Sequence, residues 1–192
     1  TLLVPGTTWT WVHADNRVYT RHGERVSVDL RGSHPALGST TEFLQTRVDV
    51  KFIRGLTDLS RLLLRGNFGF THVGNFSILP PTYRFFAGGS QSVRGYDYMS
   101  LGPHNAQGYL VGGNQLIVGS VEVDHVLVGK WSGAMFFDIG NAVNDFSTPL
   151  KQGAGFGVRW RSPIGMLRFD LAWGLSNPRL LPHLHFVVGP DL

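Results

Sequence analysis

Cysteine is absent from the 192 residues, which excludes a disulfide framework and any thiolate metal centre. No stretch approaches the run of about 18 apolar residues that a membrane-spanning helix needs, although 42% of the chain is hydrophobic and its mean hydropathy is −0.00. Charged residues make up only 16%, and no long block carries one sign. What is abundant is glycine, at 25 residues, and aromatic side chains, at 12%. That combination at middling hydropathy suits a transmembrane β-barrel, where each strand gives half its residues to lipid and half to a polar interior. The net charge is +4 and the isoelectric point is near 9.8, so an anionic partner has to be weighed.

The residues alternate. Across residues 152–161, Ala154, Phe156, Val158 and Trp160 share one parity, and Gly153, Gly155, Gly157, Arg159 and Arg161 the other. Leu167, Phe169, Leu171 and Trp173 oppose Arg168, Asp170, Ala172 and Gly174 in the same way. Leu44, Val48, Val50 and Phe52 oppose Gln45, Arg47, Asp49 and Lys51; Val26, Val28 and Leu30 oppose Ser27, Asp29 and Arg31; Leu62, Leu64, Phe68 and Phe70 oppose Arg65 and Asn67. A period of two belongs to a sheet with two unlike faces, and no helix sustains it. A soluble sandwich shares this pattern. Runs near ten residues, the span of a tilted membrane strand, favour the barrel over strands of about five or six. So does the mixture of signs on the polar parity, where Glu122, Asp124 and Asp138 join the arginines.

Nine runs are expected, near 2–13, 24–31, 41–53, 60–72, 115–127, 133–141, 152–161, 165–175 and 183–192. Bacterial single-chain barrels have an even number of antiparallel strands, so an odd count means either that a run is miscounted or that the barrel is incomplete in this sequence. One connection is long, about 73–114, and contains RFFAGGSQSVRGY from Arg84 to Tyr96. Loops of that length are commonly functional. Its core, Val93-Arg94-Gly95-Tyr96, places one arginine among glycines and aromatics.

Other signals are weaker. Gly153, Gly155 and Gly157 imitate a dinucleotide loop, but Pro163 and a turn follow instead of a helix. Gly88-Gly89-Ser90 lacks the lysine of a phosphate loop. His183 and His185 share a strand face, yet no further ligand lies at metal-site spacing. No Ser-His-acid set can be assembled, so catalytic residues, metals and cofactors are not expected. Nucleic-acid binding needs basic residues grouped on one exposed face beside aromatics. Here bases alternate with acids, and lumen, loop and headgroup positions account for the positive balance.

Four segments in order carry a resemblance: RFFAGGSQSVRGY, FFDIGNA from Phe136, GAGFGVRWRSPIGMLRFDLA from Gly153, and HLHFVVGPDL from His183. Together, over about residues 15–192, they resemble the BamA/TamA superfamily of outer-membrane insertases with periplasmic POTRA domains. The AGG before VRGY and the RWRSP wording are closer to the TamA-type translocation and assembly subunits. Members have about sixteen strands, so the resemblance implies an all-β transmembrane antiparallel barrel, here its C-terminal portion of about nine strands, with POTRA domains and first strands outside the chain. It implies that the long loop folds into the lumen as a plug, with Asp138 and Glu122 as partners of Arg94, and Phe136, Gly140, Gly155 and Arg159 on the inner wall. It makes the last run a seam strand: Phe186 faces lipid, while Gly189, Pro190 and Leu192 mark a weakly paired end, glycine and proline both being poor in a ladder. The implied activity is non-enzymatic insertion or secretion of barrel proteins and autotransporters at the bacterial outer membrane. Substrate barrel proteins, the bilayer and a TamB-like periplasmic bridge protein are the implied partners. Phospholipid delivery and a plugged passive pore are the alternatives.

Overall fold

The computed structural model describes residues 2–16, 19–145, 147–163, 165–177 and 181–192. Nine strands form one sheet in sequential order, every neighbour antiparallel. They are β1 (Gly6–Ala14), β2 (His22–Ser33), β3 (Phe43–Gly55), β4 (Ser60–Val73), β5 (Gln115–Val128), β6 (Trp131–Val143), β7 (Lys151–Ser162), β8 (Gly165–Gly174) and β9 (Pro182–Gly189). All nine expected runs are strands, and the all-β antiparallel expectation holds. A register shift at Val126 and Val128 precedes the tight β5–β6 turn.

Alternation translates directly into burial. On β5, Leu116, Val118, Ser120, Glu122 and Asp124 are buried, while Val121 and Val123 between them are exposed. On β9, Leu184, Phe186 and Val188 stand 77, 54 and 48% exposed. An exposed face built of Trp9, Phe68, Met135, Phe137, Phe156 and Phe169 far exceeds the apolar patch a water-soluble monomer tolerates. It is the face a barrel turns to lipid. Trp131 and Trp160 stack on it with ring centroids 5.8 Å apart, next to the tight turn between β5 and β6.

The two ends of the sheet differ. Connections at one end are short, down to two residues between Val128 and Trp131, whereas those at the other are long, above all 74–114 between β4 and β5. Short turns at one end and long loops at the other characterise outer-membrane barrels. The sheet curls strongly: Asp191, just beyond β9, accepts a hydrogen bond from the Thr20 amide ahead of β2. Among the described residues, β1 pairs only with β2 and β9 only with β8, leaving each with a free edge.

The long connection folds back over the inner face. Short bridges join Phe85 to Gly113 and Ala87 to Leu101. Phe85, Ala87, Val93, Tyr96 and Leu101 pack with Leu116, Val118 and Ala142 of the wall. This apolar base delivers the loop tip to the polar middle of the sheet.

Candidate functional site

The tip is Val93-Arg94-Gly95-Tyr96, and Arg94 is buried among the strands it crosses. Asp138 of β6 takes three donors from it, the Arg94 amide at 3.0 Å, Nε at 2.7 Å and Nη2 at 2.9 Å. Nη1 donates to Glu122 of β5 at 2.7 Å and to Asp170 of β8 at 3.2 Å. Nη2 also reaches the Ser120 hydroxyl at 3.2 Å. The guanidinium lies 3.4 Å from the centroid of the Phe136 ring, a cation–π contact. Bidentate, charge-assisted geometry of this kind is specific to arginine.

Arg159 of β7 completes the cluster. It donates to Glu122 Oε1 at 3.0 and 2.8 Å and to Asp170 Oδ1 at 2.6 Å. Arg65 of β4 stands 3.9 Å from Asp138. Three cations thus face three carboxylates, so the cluster is neutral. Neutrality is what a buried charge network requires.

Backbone on both sides is fitted to the tip. Gly95 has φ +88°, and a Cβ there would overlap the Trp173 carbonyl carbon and the Gly174 nitrogen. Only glycine meets both demands. The Gly95 amide donates to His185 Nε2 of β9 at 3.1 Å. The Tyr96 hydroxyl donates to the Gln152 carbonyl of β7 at 3.2 Å. One four-residue tip therefore touches β5, β6, β7, β8 and β9. The glycines of β7 follow from the same packing: Gly155 lies in register with Phe136, Gly157 with Asp170, and Gly153 with Asp138. A Cβ at these positions would overlap the Phe136 ring, the Asp170 carboxylate and the Arg94 carbonyl oxygen respectively. Gly140 is packed just as closely against Ile117 and Val118 of β5.

The seam strand differs from expectation at its end. β9 stops at Gly189, so Pro190 and Leu192 lie outside it. Proline brings no amide donor to the ladder, and buried charge pulls the following residues inward. Asp191 is fully buried, bonded to Arg61 of β4 at 2.7 Å and to Arg168 of β8 at 2.7 Å. Arg61 in turn holds Asp124 of β5 through Nε and Nη2 and lies over the Tyr19 ring at 3.8 Å. Burial alone would raise the Asp191 carboxyl, but the two guanidiniums outweigh it and hold the group below its ordinary range. Parity reading missed Asp170 and Ser120 as Arg94 contacts, and missed this second cluster entirely. The signal available was their shared inward parity.

The sequence profile of the Omp85 superfamily domain matches residues 5–189. "Outer membrane protein assembly factor BamA" of Nitratidesulfovibrio vulgaris is 32% identical over 109 residues, covering 53% of this chain and 14% of that protein. "Outer envelope protein 80, chloroplastic" of Oryza sativa subsp. japonica is 32% identical over 192 residues, covering 90% of this chain and 26% of that protein. The crystal structure of BamA from Haemophilus ducreyi lacking POTRA domains 1-3 superposes with a TM-score of 0.77 at 19% identity, over 94% of this chain and 40% of that one. The chain thus spans about a quarter or less of these two curated relatives. With the matched profile covering nearly all of its length, the chain belongs to the Omp85 superfamily and forms a nine-stranded portion of its outer-membrane β-barrel.

Proposed function

We propose that this barrel portion belongs to a bacterial outer-membrane assembly factor that inserts other barrel proteins without catalysing a covalent reaction. The observation that carries the reading is a loop tip bonded to every strand from β5 to β9, which braces the wall up to its last strand. A strand edge that opens at a seam offers unpaired amides and carbonyls to an incoming strand, the physics of β-augmentation. β9 is the shortest of the nine strands, at eight residues, which favours release of its neighbours at a lateral seam. The plug fixes the wall beside that seam while the edge exchanges partners.

Within this reading, the Ala87-Gly88-Gly89 before VRGY and the Arg159–Pro163 wording favour a TamA-type translocation and assembly subunit working with a TamB-like periplasmic bridge. Substrates are then barrel proteins and autotransporters. The test uses the complete polypeptide in cells. A cysteine at Val187 paired with one on the strand facing it across the seam locks the edge when oxidised. Substrate barrels should then fail to assemble while the locked protein itself stays folded, and reduction should restore assembly. Normal assembly with the lock closed refutes the seam. If assembly continues while outer-membrane phospholipid content falls, lipid delivery takes its place.

A further inference from the structure

Three cations stand side by side on the inner face, and among the described residues only Arg65 of the three has a carboxylate in ion-pair range, Asp138 at 3.9 Å. Arg25 of β2 is in register with Lys51 of β3, and Lys51 with Arg65 of β4. Like charges directly opposite one another in a sheet repel, and the surrounding acids are committed elsewhere. Asp49 accepts from Arg47 and from Asn67, Glu122 from Arg94 and Arg159, and Asp191 from Arg61 and Arg168. Among the described residues Arg25 and Lys51 have no ion pair. Arg65 spends its terminal nitrogens on the loop, donating to the carbonyls of Ser90 and Ser92.

The row lines a pocket of about 260 Å³ together with Ser27, Asn67 and the mutually paired Arg47 and Asp49, whose charges cancel. Two atoms in that lining are buried without a partner, Arg65 Nε and Asn67 Oδ1. One is a donor and the other an acceptor. The Asn67 amide is oriented by its Nδ2, which donates to Asp49 Oδ1 at 2.6 Å, so Oδ1 is the atom left bare. The occupant must therefore accept from Arg65 and donate to Asn67 while carrying negative charge. A carboxylate meets two of those demands and cannot donate. A phosphate that bears a hydroxyl meets all three.

We propose that Arg25, Lys51 and Arg65 form a binding site for a hydroxyl-bearing phosphate, either hydrogen phosphate itself or the phosphoglycerol head group of a lipid. Its position beside Gln91 of the plug makes the bound anion a bridge between the β2–β4 wall and the loop. The site does not depend on the insertase reading.

The test uses the complete polypeptide, stripped of lipid and folded in a zwitterionic detergent. Its thermal unfolding midpoint is followed in inorganic phosphate and in chloride at matched ionic strength, since nonspecific screening acts alike in both. Phosphate should raise the midpoint above the chloride value, as any ligand of the folded state does. Lys51→Gln should raise the midpoint in chloride, where it relieves repulsion, and abolish the increment from phosphate. Arg25→Gln, at an exposed position, gives the same loss if Lys51→Gln fails to fold. Arg54→Gln, exposed and outside the pocket lining, should keep the increment. Glycerol phosphate acting at lower concentration than inorganic phosphate identifies the lipid head group as the source, and equal action identifies free phosphate. Equal midpoints in phosphate and chloride overturn the site, as does an increment that survives in both Lys51→Gln and Arg25→Gln. Carboxylates supplied to the row from elsewhere in the polypeptide would give the first of these results.

Discussion

Replacing Arg94 with alanine strands one carboxylate more than the others. Glu122 and Asp170 keep Arg159. Asp138, fully buried, keeps the residue-94 amide at 3.0 Å, the Ser120 hydroxyl at 2.6 Å and Arg65 at 3.9 Å, but loses every guanidinium contact shorter than that. Removing one partner of a buried ion pair costs about 3–5 kcal/mol, because the remaining charge is desolvated and uncompensated. Arg65 can turn toward Asp138, which places the value near the lower end, about 3 kcal/mol. At 1.4 kcal/mol per factor of ten, the ratio of docked to undocked loop should fall roughly a hundredfold. Native-state hydrogen exchange reads this directly. The Arg94 and Gly95 amides, bonded to Asp138 and His185, should lose about two orders of magnitude of protection, while the strand ladders distant from the loop change little. Arg94→Lys restores the charge without the fork and should fall between the two.

A double-mutant cycle tests the cause. Asp138→Asn in the Arg94→Ala background removes the stranded charge, so the two substitutions should cost less together than the sum of each alone, by more than about 0.5 kcal/mol. Additive costs would refute the pairing argument. Unchanged exchange at Gly95 would show that the loop is held by its apolar base alone.

Three further outcomes follow from the same contacts. Gly95→Ala forces a side chain into the Trp173–Gly174 backbone at φ +88°; it should undock the tip as strongly as Arg94→Ala, seen as trypsin cleavage within the loop. Asp191 is held below its ordinary carboxyl value of 3.8, so its stabilising contribution is fully present above pH 4 and lost as pH falls through the lowered value. A nitroxide attached at Leu192→Cys should therefore stay immobilised in its EPR spectrum from neutrality down to about pH 4 and become mobile below, and Asp191→Asn should raise its mobility throughout. Phe186→Arg puts a charge on the exposed face of β9 and removes the 4.7 Å contact with Phe169. It should destabilise folding into vesicles by about 2–4 kcal/mol if that face meets lipid at mid-depth, and an unchanged urea midpoint would contradict a lipid-facing position.

Strand number and facing were legible because alternation is local. Leu167 to Gly174 declares both faces of β8 without reference to any other segment. Parity showed Asp138 and Glu122 as inward acids, and the family resemblance made them partners of Arg94. Asp170 and Ser120 shared that parity, but which acids converge depends on how deep the loop reaches, and that depth is set by Phe85, Ala87 and Leu101 packing on β5 and β6. The end of β9 was out of reach for a related reason. Gly189 and Pro190 signal a failing ladder, whereas the inward turn of Asp191 depends on Arg61, 130 residues away in sequence. The glycines of β7 have the spacing of a dinucleotide loop without the helix that must follow it, and their cause is the bulk of Phe136, Asp170 and Arg94 opposite.

The buried cluster has a use that its net stability does not supply. A well-packed apolar replacement of a buried ion network is often no less stable, so energy alone does not explain six charged residues in the interior. Register does. On the lipid side, β5 to β8 present Val121, Phe137, Phe156 and Phe169, among other large apolar side chains, and such residues discriminate poorly between neighbouring alignments. A slip of one residue exchanges the faces of a strand. It would carry Glu122, Asp138, Arg159 or Asp170 onto lipid and leave its partners unpaired. Only the observed register lets Arg94 meet carboxylates from β5, β6 and β8 at once while Arg159 bridges two of them. The plug tip thus acts as a gauge of strand alignment, engaging fully when four strands are correctly paired. Under the proposed insertion at a lateral seam, that is the property needed in a wall beside an edge that exchanges partners.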